Sequence, residues 1–160
     1  MASTANPTLT ASDRAHRRPA ADANELIQAQ VTAARTACEQ ITGPALERLL
    51  NSVDRACRLP ARPAWETKAA AHAEIFRLLA EVAGGGVAAG ELTRQAGLIR
   101  DLMRTVGPAA NGMITSSRRR LLSHLRAGDA DGAALEMENH LRVLHYMWRL
   151  ACHPAASAHL

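Results

Sequence analysis

The sequence has few aromatic residues, and this shortage limits the kind of core it can build. Phe, Trp and Tyr make up 2% of the 160 residues, whereas hydrophobic residues make up 48%. The core must therefore come from Ala, Leu, Ile, Val and Met, and Ala and Leu favour helices because they lose little side-chain entropy there. The sequence also lacks the alternating β-branched runs that a sheet needs. We predict an all-α protein with one domain.

Cysteine and long apolar runs are also scarce. Cys38, Cys57 and Cys152 are an odd number without a paired metal-binding spacing, so we expect small apolar side chains in a reducing compartment. No stretch has the apolar core of a signal peptide or the length of a membrane span. The expected location is therefore the cytoplasm, without a membrane partner.

The surplus of positive charge is small. The sequence contains 19 basic residues, almost all arginine, and 15 acidic residues, which gives a net charge of +4. Part of this excess lies near the N-terminus. No aromatic residues are interspersed with the basic ones, as binding to single-stranded nucleic acid would require. We therefore expect no DNA binding by this chain alone.

Breaks in helical periodicity divide the chain into segments. Residues 1–22 are polar and show no apolar stripe, which predicts a flexible tail before a domain at residues 23–155. Within that domain, glycine and proline separate six segments that have apolar residues at helical spacing. The six predicted helices lie at about 23–41, 44–59, 65–83, 88–106, 110–127 and 131–152. Their short connections predict an antiparallel bundle of about six helices.

Polar residues fall on the apolar stripes of three predicted helices. His140 is in line with Leu144, His72 is in line with Phe76, and the Arg118 side chain shares a face with leucines. If these three residues meet in the bundle, they line one cavity, where an unpaired cation favours an anion. Two other interpretations stay open: hydrogen-bonded core histidines, and an arginine whose charge is solvated.

Two stretches resemble a known family. "LLAEVAGG" ends the third predicted helix, and "RAGDADGAALEMENHL" begins with a turn in which Gly128 can close one helix and Asp129 or Asp131 can cap the next. Both resemble the FCD domain, which is the ligand-binding domain of FadR-type GntR transcription regulators, with His140 in register. The resemblance covers about residues 23–152 and implies a helical bundle that binds a small effector.

Members of this family commonly hold a divalent metal with an Asp and three histidines, and the metal helps to bind a small carboxylate. In this sequence His72 stands at the Asp position and Phe76 at that of the first His. Arg118 stands at the second His position, so His140 is the only one of the four metal ligands that is retained. The positive charge of Arg118 also repels a cation. We therefore expect the usual metal to be lost. A metal that is nevertheless bound would be held by His72 and His140.

The resemblance then implies an effector site without a metal. Arg118 offers a rigid fork of donors to a carboxylate, His72 and His140 donate or accept hydrogen bonds, and Phe76 adds an apolar wall. Gln30 stands where family members often carry Arg, so it joins the predicted ligand-binding residues, and the effector should differ from that of most relatives. The predicted ligand is a small organic acid.

The predicted function is therefore that of an effector-binding domain similar to those of FadR-type regulators. Such regulators carry a winged helix-turn-helix before this domain, and here we expect only the short polar tail. The alternative is a stand-alone protein repurposed as a small enzyme, a cyclase, isomerase or lyase, since histidines beside an arginine permit acid–base chemistry on an anion. A pure interaction protein is the third interpretation. Apolar surface on the first and fourth helices predicts a homodimer.

Overall fold

Six α-helices, connected by short segments, form the protein. The computed structural model describes residues 11–84 and 89–153. The helices are α1 (Ala11–Gln40), α2 (Gly43–Arg58), α3 (Trp65–Ala83), α4 (Ala89–Val106), α5 (Asn111–Ala127) and α6 (Ala130–Cys152). A short 3-10 helix at Pro108–Ala110 joins α4 to α5, and the described residues contain no strand. The prediction of an all-α bundle is confirmed.

The helix bounds follow the sequence pattern except at the beginning of the chain. α3 has the predicted bounds, and the other predicted bounds from α2 onward lie within one residue of those in the structure. α1 begins at Ala11 instead of near residue 23, so residues 11–22 of the predicted tail are helical. Residues 1–10 lie outside the described residues, and the flexibility of the tail stays a prediction.

The turn between α5 and α6 is organised around one aspartate. Gly128 ends α5 in the left-handed conformation, with φ of 67°, which glycine adopts without strain. The Asp129 carboxylate accepts a hydrogen bond from the Gly132 N–H at 2.9 Å and lies 2.9 Å from His124 Nδ1. A Cβ at Gly132 would lie 2.1 Å from this carboxylate and 2.3 Å from His124 Nδ1, so a larger residue there would displace both side chains. The predicted helix end at Gly128 is confirmed, and Asp129 is the cap.

The helix backbones are well separated at the centre of the bundle. α1, α2 and α4 pack around α3, whereas α6 packs against α1, α4 and α5. The backbone of α3 makes few close contacts with α5 or α6, and buried side chains fill the space between them. This central space is where large polar side chains of three helices meet.

The outer surface carries its exposed large apolar side chains mainly on α6. Leu135, Val143, Tyr146 and Leu150 lie on α6, and Leu98 lies on α4. The sequence predicted such a surface on the first and fourth helices, and of these two α4 contributes Leu98, while the homodimer itself stays a prediction. Among the described helices, none is both long and apolar enough to cross a bilayer.

Lys68, the only lysine in the sequence, is buried. Its ammonium donates hydrogen bonds to the carbonyls of Cys57 and Leu59, at 2.9 and 2.6 Å, where α2 ends. The last carbonyls of a helix have no partner within the helix, and a positive charge there interacts favourably with the helix dipole. Lys68 therefore ties the end of α2 to α3.

Replacing Lys68 with Met should lower the free energy of unfolding by about 1–3 kcal/mol, because two carbonyls would lose their donor. Urea unfolding followed by circular dichroism measures this change. Thr67→Met, at an exposed position of the same helix, is the matched control and should change the free energy by less than about 0.5 kcal/mol. Equal stability of Lys68→Met and the wild type would show that the ammonium does not stabilise the end of α2.

Candidate functional site

The structure brings together four of the five predicted site residues at the centre of the bundle. They are His72 and Phe76 from α3, Arg118 from α5 and His140 from α6, and each is at most 2% exposed. The Cζ atom of Arg118 lies 4.5 Å from the centre of the Phe76 ring, and its Nη2 atom lies 3.2 Å from His140 Nε2. The Phe76 and His140 ring centres are 6.0 Å apart. These four residues are called the Arg118 cluster below.

The contact between Arg118 and His140 defines the tautomer of the imidazole. The guanidinium is a donor only, so Nε2 of His140 accepts its hydrogen and the ring proton lies on Nδ1. This Nδ1 atom is buried and has no hydrogen-bond partner. The Nε atom of Arg118 is also buried without a partner. The cluster therefore contains two unpaired hydrogen-bond donors.

His72 is the second imidazole of the cluster, and neither of its ring nitrogens has a hydrogen-bond partner. Burial, together with the charges of Arg118 and Lys68, lowers the pKa of His72 to about 3. Burial and then the charge of Arg118 lower the pKa of His140 well below its ordinary value. Both imidazoles are therefore neutral at pH 7, and His72 provides one further donor and one acceptor.

Arg118 carries a buried charge without an opposite one beside it. Burial lowers its pKa to about 10, so the guanidinium is still a cation at neutral pH. The carboxylate of Glu136 raises this pKa in part, but it is bound by Arg120 at 2.8 and 3.0 Å, and Arg118 has no ion pair within the described part of the chain. The face of the Phe76 ring compensates the charge only in part. Because an uncompensated buried cation is costly, the cluster is suited to an anion.

Gln30, the fifth predicted residue, belongs to a separate chain of hydrogen bonds. Its Nε2 atom donates to Gln95 Oε1 at 2.6 Å, and Gln95 donates to Glu91 at 2.9 Å. The Oε1 atom of Gln30 is buried without a partner. No hydrogen bond connects Gln30 to the Arg118 cluster among residues 11–84 and 89–153, so its role in ligand binding stays a prediction.

Sequence reasoning missed two residues that affect this region. Lys68 precedes His72 by four residues and therefore lies on the same side of α3, so the helical spacing could have revealed it. Gln95 gave no such signal, because its partner Gln30 comes from a distant part of the sequence and only the folded chain brings them together.

A divalent metal, which the family resemblance implies, does not fit the residues present. Within the described residues, no group of three or more His, Cys, Asp or Glu side chains could hold a metal ion. His140 uses Nε2 to accept from Arg118, and the charge of Arg118 repels a second cation. The polar groups of the cluster are therefore a guanidinium and two neutral imidazoles.

Comparison with known proteins agrees with the motif resemblance. The FCD domain family model matches residues 30–143, a range that contains Gln30 and the whole Arg118 cluster. Neither the curated proteins nor the solved structures provide a match to the chain.

Stability should fall as the pH drops below about 6.5, the usual pKa of an unfolded histidine. The pKa of His72 in the folded protein is about 3, so between these values the unfolded chain binds the extra proton. His140 acts in the same direction. Each of the two histidines should therefore reduce the free energy of unfolding by up to about 1.4 kcal/mol per pH unit.

Urea unfolding near pH 7 and near pH 5 measures this dependence, and His72→Gln should weaken it. His153→Gln, which changes an exposed histidine, is the matched control and should keep the slope of the wild type. A His72→Gln variant with the full slope would contradict a buried, neutral His72.

Proposed function

The chain belongs to the FCD domain family, and we propose that its Arg118 cluster binds a small organic acid as the effector of a GntR-type transcription regulator. The FCD domain is the effector-binding domain of such regulators. The proposed ligand has a carboxylate and a small apolar part, and protein side chains bind it without a metal.

The unpaired guanidinium of Arg118 is the observation that carries this proposal. Its Nη2 atom has two hydrogens, so it can donate one to His140 and present the other beside the unpaired Nε–H. These two N–H groups form one edge of the guanidinium, which binds a carboxylate through two parallel hydrogen bonds. A carboxylate at this edge would also supply the negative charge that the buried cation lacks.

The other members of the cluster would complete the recognition of the ligand. The Nδ1–H of His140 is an unpaired donor, which suits a further oxygen of an acid. His72 has one nitrogen that donates and one that accepts, which suits a hydroxyl group or a water molecule. The ring of Phe76 offers an apolar surface beside the guanidinium. A small acid with an apolar part matches this set of groups.

The lowered pKa of His72 favours binding over acid–base catalysis. A general base is most effective when its pKa is close to the working pH, whereas that of His72 is about 3. An imidazole with such a low pKa is a weak base, but its N–H still donates a hydrogen bond. The enzyme alternative therefore has less support than effector binding.

Binding of an anion would also stabilise the packing of three helices. α3, α5 and α6 each contribute to the cluster, and without a ligand their contact surrounds an uncompensated charge. A ligand that binds only the folded state adds RT ln(1 + [L]/Kd) to the free energy of unfolding. Effector occupancy can thus shift the balance between alternative helix packings, as a regulator requires.

The Nε–H of Arg118 should move downfield in the NMR spectrum of 15N-labelled protein when a bound carboxylate accepts its hydrogen. The titration uses sodium propionate, sodium benzoate and a panel of short hydroxy acids and dicarboxylates, with propionamide as the uncharged control. The shift should saturate with at least one acid and be absent with the amide. An Arg118 signal that no acid in the panel moves would overturn the proposed ligand class.

Replacing Arg118 with Met should raise the free energy of unfolding of the ligand-free protein by about 1–2 kcal/mol, because an apolar side chain replaces a buried, unpaired charge. The same variant should lose all stabilisation by carboxylates. Arg149→Met, on the exposed side of α6, is the control and should keep that stabilisation. Thermal unfolding with and without ligand measures both effects. If Arg118→Met were less stable than the wild type, the contacts of Arg118 would outweigh the cost of burying its charge.

A further inference from the structure

We propose that the groove between α2 and α5 is the entrance through which an anionic ligand reaches the Arg118 cluster, and that Arg119 and Arg126 attract the ligand to it. This inference rests on the proposed function, because an entrance has a role only if the cluster binds a ligand. Beyond that function, the inference identifies the path of the ligand and the residues that determine its association rate.

An entrance is needed because the cluster is closed to solvent. His72 is 0% exposed, Arg118 1% and His140 2%. A ligand can therefore reach the guanidinium only through movement of the side chains that cover it. The covering residues should be few, small or flexible, and next to Arg118.

The α2–α5 groove meets this requirement. It has a volume of about 340 Å³, and its lining residues include Cys57 from α2 and Leu122 from α5. Leu122 follows Arg118 by four residues and so lies on the same face of α5. Cys57 is partly exposed, and after the larger effect of burial it is one of the two side chains that act on the pKa of Arg118, so it lies near the guanidinium. The groove thus borders the part of α5 that carries Arg118, with Leu122 and Cys57 between them.

The charges around the groove favour an anion. Arg119 and Arg126 line it from α5, both are exposed, and neither forms an ion pair with another described residue. They are seven residues apart, so they lie on one side of the helix at a separation of about 10 Å along its axis. Asp54, the acidic residue in the lining, is paired with Arg58 at 2.8 Å. The mouth of the groove therefore has a net positive charge.

A second groove, between α2 and α3, provides the natural comparison. It has a volume of about 390 Å³ and is lined by Arg48 and Arg55, which also lack an ion pair among the described residues, and by Glu74. Its α3 residues lie on a different side of that helix from His72 and Phe76, which point into the core. It carries similar arginines without leading to the cluster.

The test measures the rates of ligand binding in matched double variants. The probe is the acid that shifts the Arg118 Nε–H most strongly in the titration with propionate, benzoate and the panel acids, and exchange of that NMR signal gives the association and dissociation rates. Arg119→Ser/Arg126→Ser should reduce the association rate about tenfold at low salt and weaken its salt dependence, with an unchanged dissociation rate. Arg48→Ser/Arg55→Ser removes the same charge from the other groove and should leave both rates within twofold of the wild type. If the two double variants changed the association rate equally, or if Arg119→Ser/Arg126→Ser left it unchanged, the proposed entrance would be wrong.

A second variant tests the path itself. In a Cys152→Ser background, a bulky maleimide on Cys57 should slow association and dissociation together by about tenfold or more, because it obstructs the route in both directions. The unlabelled Cys152→Ser protein is the control. Unchanged rates after labelling would overturn the entrance while leaving the proposed function intact. If no acid binds to the wild type, the proposed function and the entrance both fail.

Discussion

The centre of this bundle depends on the buried positive charge of Arg118. The guanidinium is removed from water, and its close contacts are with the Phe76 ring and with Nε2 of His140. Burial in the same core, reinforced by that charge, keeps His72 and His140 neutral. Since the imidazoles are neutral and have unpaired nitrogens, the cluster is rich in donors and contains no negative group. A buried charge without an adjacent opposite charge does not stabilise the fold by itself, and the proposed anionic ligand would compensate it.

Much of the fold could be predicted because its signals are local. Glycine and proline end the helices where the chain turns, and apolar spacing marks the buried faces, so α3 has its predicted bounds. The beginning of α1 could not be predicted in this way. Apolar periodicity reports burial, and residues 11–22 form a helix without an apolar stripe.

The site was predictable to the extent that helical spacing decides which side chains face inward. This spacing selected His72, Arg118 and His140, and the structure brings them together. It could not reveal the hydrogen-bond partners, because these depend on distances between helices far apart in the sequence. The folded structure was therefore needed to identify three features: the tautomer of His140, the pairing of Gln30 with Gln95 and the missing partner of Arg118.

The buried position of Lys68 also determines how this domain reacts with enzymes and reagents that modify amines. It is the only lysine in these 160 residues, it is 2% exposed, and its ammonium is held by two carbonyls. Acetylation, ubiquitination and amine-reactive crosslinkers all need an accessible side-chain amine. In the folded domain no lysine amine is accessible to them. Its surface positive charge is instead carried by arginine, which these reactions do not modify. Acylation of Lys68 would therefore report that the end of α2 has opened.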